Sequence, residues 1–290
     1  MKRAGRALLL LLGLAGGAEA RAQAPPPAFT PPPESAIPDD ALGQLIRQGE
    51  AIFRDTRRHA ARFVGNDLQC GNCHLDGGRQ ANAAPLWAAY VTYPAFRPKT
   101  GQVNTFAERI QDCFRYSMNG TPPPLGDPVL VALESYAFFL ARGAPTGMDL
   151  PGRGYPRLPA PDRPPDFARG AAAFAERCAA CHGADGAGHM ADGTPVFPSL
   201  WGPRSFNWGA GMARISSAAG FIQANMPLGQ GGSLPDQEAW DLALFVDSHD
   251  RPQDPRYSES IEHTRAAFHD TPDSMYGLTV NGVRLGAAPP

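Results

Sequence analysis

Four of the chain's five cysteines form two copies of one short motif. Cys70-Gly71-Asn72-Cys73-His74 is the first and Cys178-Ala179-Ala180-Cys181-His182 the second. C-x-x-C-H is the attachment pattern of a c-type haem: two thiols add to the vinyl groups and the adjacent histidine ligates the iron. A zinc site would not require a histidine directly after each cysteine pair. A thioredoxin-like redox pair needs a neighbouring βαβ pattern, and the chain has none. The motifs predict two covalently bound haem c groups. Cys70, Cys73, Cys178 and Cys181 are the attachment residues, and His74 and His182 each supply one axial ligand.

The opposite ligand of a haem that only transfers electrons is commonly methionine. Met226-Pro227 stands in the expected place after the second motif, shortly before a final helix-forming stretch. Met190, Met212 and His189 are its rivals. The first motif has no Met-Pro after it. Near the matching distance stands the fifth cysteine, Cys113, with Met118 and His59 as alternatives. Thiolate is a strongly donating haem ligand and lowers the potential of its iron. A buried apolar thiol is the plainer reading of such a residue, but an unpaired cysteine is unusual in an exported protein.

Cys113 also lies in a basic stretch. Arg79, Arg97, Lys99, Arg109 and Arg115 stand against Glu108 and Asp112, in a chain whose net charge is −2. Arg109, Cys113 and Ser117 are spaced i, i+4, i+8, which places them on one stripe of a helix. A cationic pocket with a thiol at its base lowers the thiol pKa and attracts anions. Its expected ligand is a small, doubly charged sulfur oxyanion.

The elements that must position these residues recur with the motifs. Gly49-x-x-x-Phe53 precedes the first motif and Gly170-x-x-x-Phe174 the second, each on a helical pattern. After each motif comes an amphipathic helix with an aromatic two positions beyond a glutamate, Tyr136 after Glu134 and Trp240 after Glu238. The order resembles the cytochrome c fold, in which the first and last helices cross, a glycine permits close approach and an aromatic packs on it. The fold class expected is therefore mainly α, two tandem cytochrome c-like haem domains joined by a Pro-rich linker. The domains are 39–142 and 166–249, of a size usual for independent units. The linker, 143–165, holds prolines 145, 151, 156, 159, 161, 164 and 165, so it should be extended and poor in helix. Residues 21–38 form a Pro-rich arm, and 250–290 an extension without a haem motif that either wraps the body or frays.

Lys2, Arg3 and Arg6 precede a short apolar run, Ala7 to Leu14, and Ala18-Glu19-Ala20 is a small-x-small cleavage site. Residues 1–20 are therefore expected to be a signal peptide cut after Ala20. Ala22-Gln23-Ala24 is a second candidate, disfavoured by Pro25. The run is far shorter than the ~20 residues that span a bilayer, so no membrane anchor is expected and the mature protein should be periplasmic. The near-neutral charge and a pI of about 6.4 give no sign of nucleic acid or anionic membrane as partner.

Three stretches resemble the thiosulfate dehydrogenases, which are dihaem c-type enzymes that form tetrathionate. They are Cys70 to Gln80 with Asn82 to Tyr90, Lys99 to Gly120, and the tail motif Phe268-His269-Asp270 with Ser274-Met275-Tyr276-Gly277. The resemblance implies His74 and Cys113 as ligands of the first haem and His182 and Met226 as ligands of the second. It implies substrate binding by Lys99, Arg109 and Ser117 around Cys113. It further implies coupling of two thiosulfates to tetrathionate, reversible in principle, with electrons leaving by the first and then the second haem to an acceptor such as another cytochrome c. Some members carry a lysine directly before the methionine and exchange ligands there; Asn225 stands at that position. The alternatives from the residues alone are a non-enzymatic electron-transfer cytochrome and a sulfur-oxidation cytochrome that needs a carrier protein.

Overall fold

The computed structural model describes residues 28–287, apart from Gly193. The expected signal peptide, the part of the arm preceding residue 28 and the last three residues lie outside the described residues. Two helix pairs, one around each motif, organise the chain. In the first, α1 (Ala41–Arg54) crosses α3 (Pro128–Leu140); between them run the short α2 (Phe106–Asp112) and a π-helical turn, Cys113–Ser117. In the second, α4 (Phe167–Arg177) crosses α6 (Asp236–Asp247), with α5 (Ile215–Asn225) between them in sequence. α7 (Ile261–Phe268) lies in the C-terminal extension. Among the described residues, strands occur as three two-stranded antiparallel hairpins, 95–104, 189–197 and 279–284.

Local chemistry starts these helices where they start. Asp40, Asp127 and Asp166 cap α1, α3 and α4 by accepting from backbone N–H groups of the first turn. Pro128 takes the first position of α3, where its missing N–H costs nothing. Thr105 and Glu108 form a reciprocal capping box on α2. Ile46, Gly49, Ile52 and Phe53 form the buried face of α1.

Both glycines do what their position requires. A Cβ on Gly49 would stand 2.0 Å from the Ala132 carbonyl oxygen and 2.8 Å from Tyr136 Cβ. A Cβ on Gly170 would stand 2.2 Å from the Asp241 carbonyl oxygen and 2.7 Å from Phe245 Cβ. The partner aromatics are thus Tyr136 and Phe245. Trp240, expected to pair with Gly170, instead donates its indole N–H to Pro159 O in the linker, at 3.0 Å. The carbonyl met by the glycine is followed four residues later by the aromatic in both pairs, because one helical turn separates stacked contacts.

The C-terminal extension wraps the first half of the molecule. Tyr276 and Leu285 are buried in its core, which also receives Phe206, Trp208 and Ala210. A polar lock holds the wrap. The buried Asp254 carboxylate accepts from His269 Nε2 at 2.9 Å and from Arg256 at 3.0 and 2.6 Å. Burial alone would raise the Asp254 pKa; His269 and Arg256 hold it far below the usual carboxylate range. Burial also keeps the His269 pKa low, so that imidazole stays neutral. Both shifts act in one direction. A depressed carboxylate adds stability that is complete above its unfolded pKa, about 4, and is lost as pH falls through the folded value. A buried neutral histidine likewise loses stability below about 6.5. Asp254→Asn should lower the melting temperature most at neutral pH, and the gap to wild type should narrow below about pH 4 in paired thermal melts.

Candidate functional site

The first motif forms one wall of an apolar cavity. Cys70, Cys73 and His74 line it together with Arg109, Cys113 and Ser117. His74 Nδ1 is held by Ala84 O at 2.6 Å, leaving Nε2 for a metal. The cysteines are unbridged. The second cavity repeats the plan with Cys178, Cys181, His182 and Met226. There His182 Nδ1 is held by Pro198 O at 3.0 Å. Each cavity joins two attachment thiols, an oriented imidazole and a second sulfur donor among apolar walls, and that donor set fits a covalently attached haem. Leu68, Cys73 and Met212 line both cavities, so the two sites share a wall.

The rival ligands separate. Met190 and His189 are exposed on a hairpin, and His59 is exposed at the end of the short helix Thr56–His59. Met118 lines the first cavity, and Met212 lines both. Asn225, before Met226, is buried and fully engaged. It accepts from Gln80 at 2.8 Å and donates to Asn82 O and Phe221 O, both at 3.0 Å. The Met226 loop is thereby tied to the segment leading to Ala84, which orients His74.

Cys113 opens the π-helical turn, a feature that often marks functional sites. Arg109, one turn earlier, puts Nη1 2.9 Å from its Sγ. Burial would raise the thiol pKa, but the Arg109 guanidinium and His74 bring it down to about 7. Burial holds the attachment thiols Cys70 and Cys73 up at about 12. The widened turn is held from outside: Asn66 Nδ2 donates to Ser117 O at 2.8 Å, and Asn207 Nδ2 donates to Arg115 O at 2.9 Å. Those side chains satisfy carbonyls that regular helix bonding would otherwise serve.

The basic stretch does not converge as its sequence suggests. Arg97 and Arg115 both bind the buried Asp112 carboxylate. Arg79 donates to Pro32 O at 2.6 Å. Lys99 does not line the cavity. Its ammonium donates to Gly209 O and lies 3.3 Å from the centre of the Tyr116 ring. Burial, with the charges of Arg256 and Arg109 nearby, brings its pKa down to about 7. Among the described residues, Arg109 is the basic side chain lining the first cavity. Tyr155 and Ser217 also line it and escaped sequence reasoning. Tyr155 sits between glycine and proline in a segment without periodicity, so no pattern marks it.

Two haem-attachment motifs, each on its own crossed-helix scaffold, define a dihaem c-type cytochrome. Comparison with known proteins agrees. Residues 49–146 match the SoxA/TsdA cytochrome c domain, and residues 165–246 match the domain of cbb3-type cytochrome c oxidase subunit III. A thiosulfate dehydrogenase of Thiomonas intermedia (strain K12) is 55% identical over 258 residues, covering 89% of this chain and 82% of the relative. One from Stutzerimonas stutzeri (strain A1501) is 54% identical over 260 residues, covering 89% and 85%. The solved thiosulfate dehydrogenase TsdBA of Marichromatium purpuratum superposes with a TM-score of 0.87 at 53% identity; the match covers 90% of this chain and 58% of that one. The chain belongs to the thiosulfate dehydrogenase family.

Proposed function

We propose that this protein couples two thiosulfates oxidatively to tetrathionate at Cys113. The observation that carries the reading is the Arg109–Cys113 pair within the cavity of the first C-x-x-C-H motif. Cys70, Cys73, His74 and Cys113 would hold one haem, and Cys178, Cys181, His182 and Met226 the other. The bound haems supply one-electron acceptance, needed twice per tetrathionate, and passage of those electrons to an external acceptor such as another cytochrome c. Arg109 counters the charge of the thiosulfate dianion and keeps Cys113 as thiolate near neutral pH. The Ser117 hydroxyl offers a hydrogen bond on the same wall. Lys99, one layer out, adds charge when protonated. The Cys113 thiolate and thiosulfate form a sulfur–sulfur bond with release of two electrons, leaving a thiosulfonate on Cys113. A second thiosulfate attacks the sulfane sulfur, breaks the bond to Cys113 and leaves as tetrathionate with the thiolate restored.

Among the described residues no helix is long and apolar enough to cross a membrane. Haem attachment outside the cytoplasm and the basic, apolar N-terminus support a periplasmic location. The test is a steady-state assay of purified holoprotein with cytochrome c as acceptor. Acceptor reduction should depend on thiosulfate and yield one tetrathionate per two electrons. Acceptor reduction without tetrathionate, or a requirement for a carrier protein, would refute the reading.

A further inference from the structure

Tyr155 belongs to the Pro-rich linker, yet it lines the first haem cavity beside Arg109, Cys113 and Ser117. Its backbone is held from both halves of the molecule. Gly152 O accepts from Asn82 N at 2.7 Å and Gly154 O from Ala84 N at 2.9 Å, so the linker runs along the loop that orients His74. On the other side Pro156 O lies directly on α5, where a Cβ on Gly220 would meet it at 2.0 Å. Phe221, the next residue of α5, packs edge-on against the Tyr155 ring at a centroid distance of 5.3 Å. The ring is thus fixed on the cavity wall that Arg109, Cys113 and Ser117 share. Among the described residues its hydroxyl has no protein hydrogen-bond partner. A phenol oriented on that wall and free of protein partners is available to hydrogen-bond a ligand in the cavity.

We propose that Tyr155 is a substrate-contacting residue whose hydroxyl donates a hydrogen bond to a sulfonate oxygen of the thiosulfonate carried on Cys113. The inference rests on the reading of Cys113 as the sulfur-carrying residue. Arg109 and Ser117 reach the anion from the first haem domain, and Tyr155 reaches it from the linker. The pocket therefore selects a sulfur species that carries a sulfonate, and it is complete only when the linker is seated between the two halves.

Tyr155→Phe removes one oxygen and keeps the ring against Phe221. The variant should retain both haems, with visible spectra and haem potentials like those of wild type. Its kcat/KM should fall roughly 10- to 100-fold with thiosulfate and with tetrathionate, the loss expected for a hydrogen bond to a charged group. A second readout needs no electrons. Tetrathionate exchanges with the Cys113 thiolate, leaving a thiosulfonate on the sulfur and releasing thiosulfate, and the adduct can be counted by intact mass. At matched tetrathionate concentration the variant should carry less adduct. Kinetic constants and adduct level within about twofold of wild type would overturn the proposal. So would a shifted first-haem potential with unchanged kinetics, which would assign the phenol to the haem. Wild-type protein that makes no tetrathionate and takes no adduct on Cys113 would instead refute the underlying reading, and this inference with it.

Discussion

Cys113→Ala should keep both covalent haems and lose tetrathionate formation, with kcat/KM down by at least about a thousandfold. Attachment depends on Cys70 and Cys73, and the orientation of His74 depends on Ala84 O; neither involves Cys113. Haem content and the far-ultraviolet spectrum should therefore match wild type. What disappears is the sulfur that Arg109 approaches at 2.9 Å, and no other thiol lining the first cavity can replace it. Cys70 and Cys73 belong to the attachment motif, and as thioethers to haem they have no thiolate to offer. On the proposed ligation by Cys113, the same change should also raise the potential of the first haem. Cys113→Ser separates the two losses: the serine hydroxyl can still accept from Arg109 but cannot carry a sulfane sulfur. If Cys113→Ala made tetrathionate at near the wild-type rate, Cys113 would be a ligand and nothing more.

The parts of this site that could be read in the sequence are those whose partners lie within a turn or two. The C-x-x-C-H motifs are local by chemistry. The Arg109–Cys113 contact is local by helix period, and it forms even though the helix widens to a π turn at Cys113. The glycine on each first helix was legible because close helix crossing has few other solutions. Its aromatic partner was legible only in the first half. Counting from the glutamate selects Tyr136 correctly but selects Trp240, whereas the crossing selects Phe245, four residues beyond the carbonyl that Gly170 touches. The basic stretch misleads for a related reason. A positive charge in sequence becomes a positive pocket only if no distant acceptor claims it. Lys99 is claimed by Gly209 O, 110 residues away, while Arg97 and Arg115 are claimed by a buried Asp112. The Asp254–His269 lock and the seat of Tyr155 are likewise long-range products of packing, invisible to any periodic pattern.

Gly49→Ala and Gly170→Ala should each destabilise the protein by about 2 kcal/mol or more, the reverse of what the helix alone would dictate. In an uncrowded helix interior, replacing glycine with alanine removes backbone entropy from the unfolded chain and gains about 1 kcal/mol. Here the new methyl would lie 2.0 Å from the Ala132 carbonyl oxygen or 2.2 Å from that of Asp241. Both obstacles are backbone in the middle of the opposing helix, so relief requires the helices to move apart rather than a side chain to turn. Separation of α1 from α3 would also disturb Phe53, which packs 6.0 Å from the His74 ring and 5.8 Å from the Tyr136 ring. The first haem site should loosen together with the fold. Gly71→Ala, inside the attachment motif itself, is the matched control. Its added Cβ would meet no protein atom closer than Phe53 O at 4.0 Å, and the second motif already carries alanine, Ala179, at that position, so its stability should stay within about 0.5 kcal/mol of wild type. Thermal melts of the three variants, with haem content measured on each, decide the matter. If Gly49→Ala or Gly170→Ala melted at or above the wild-type temperature, the close crossing would not be what holds the haem domains together.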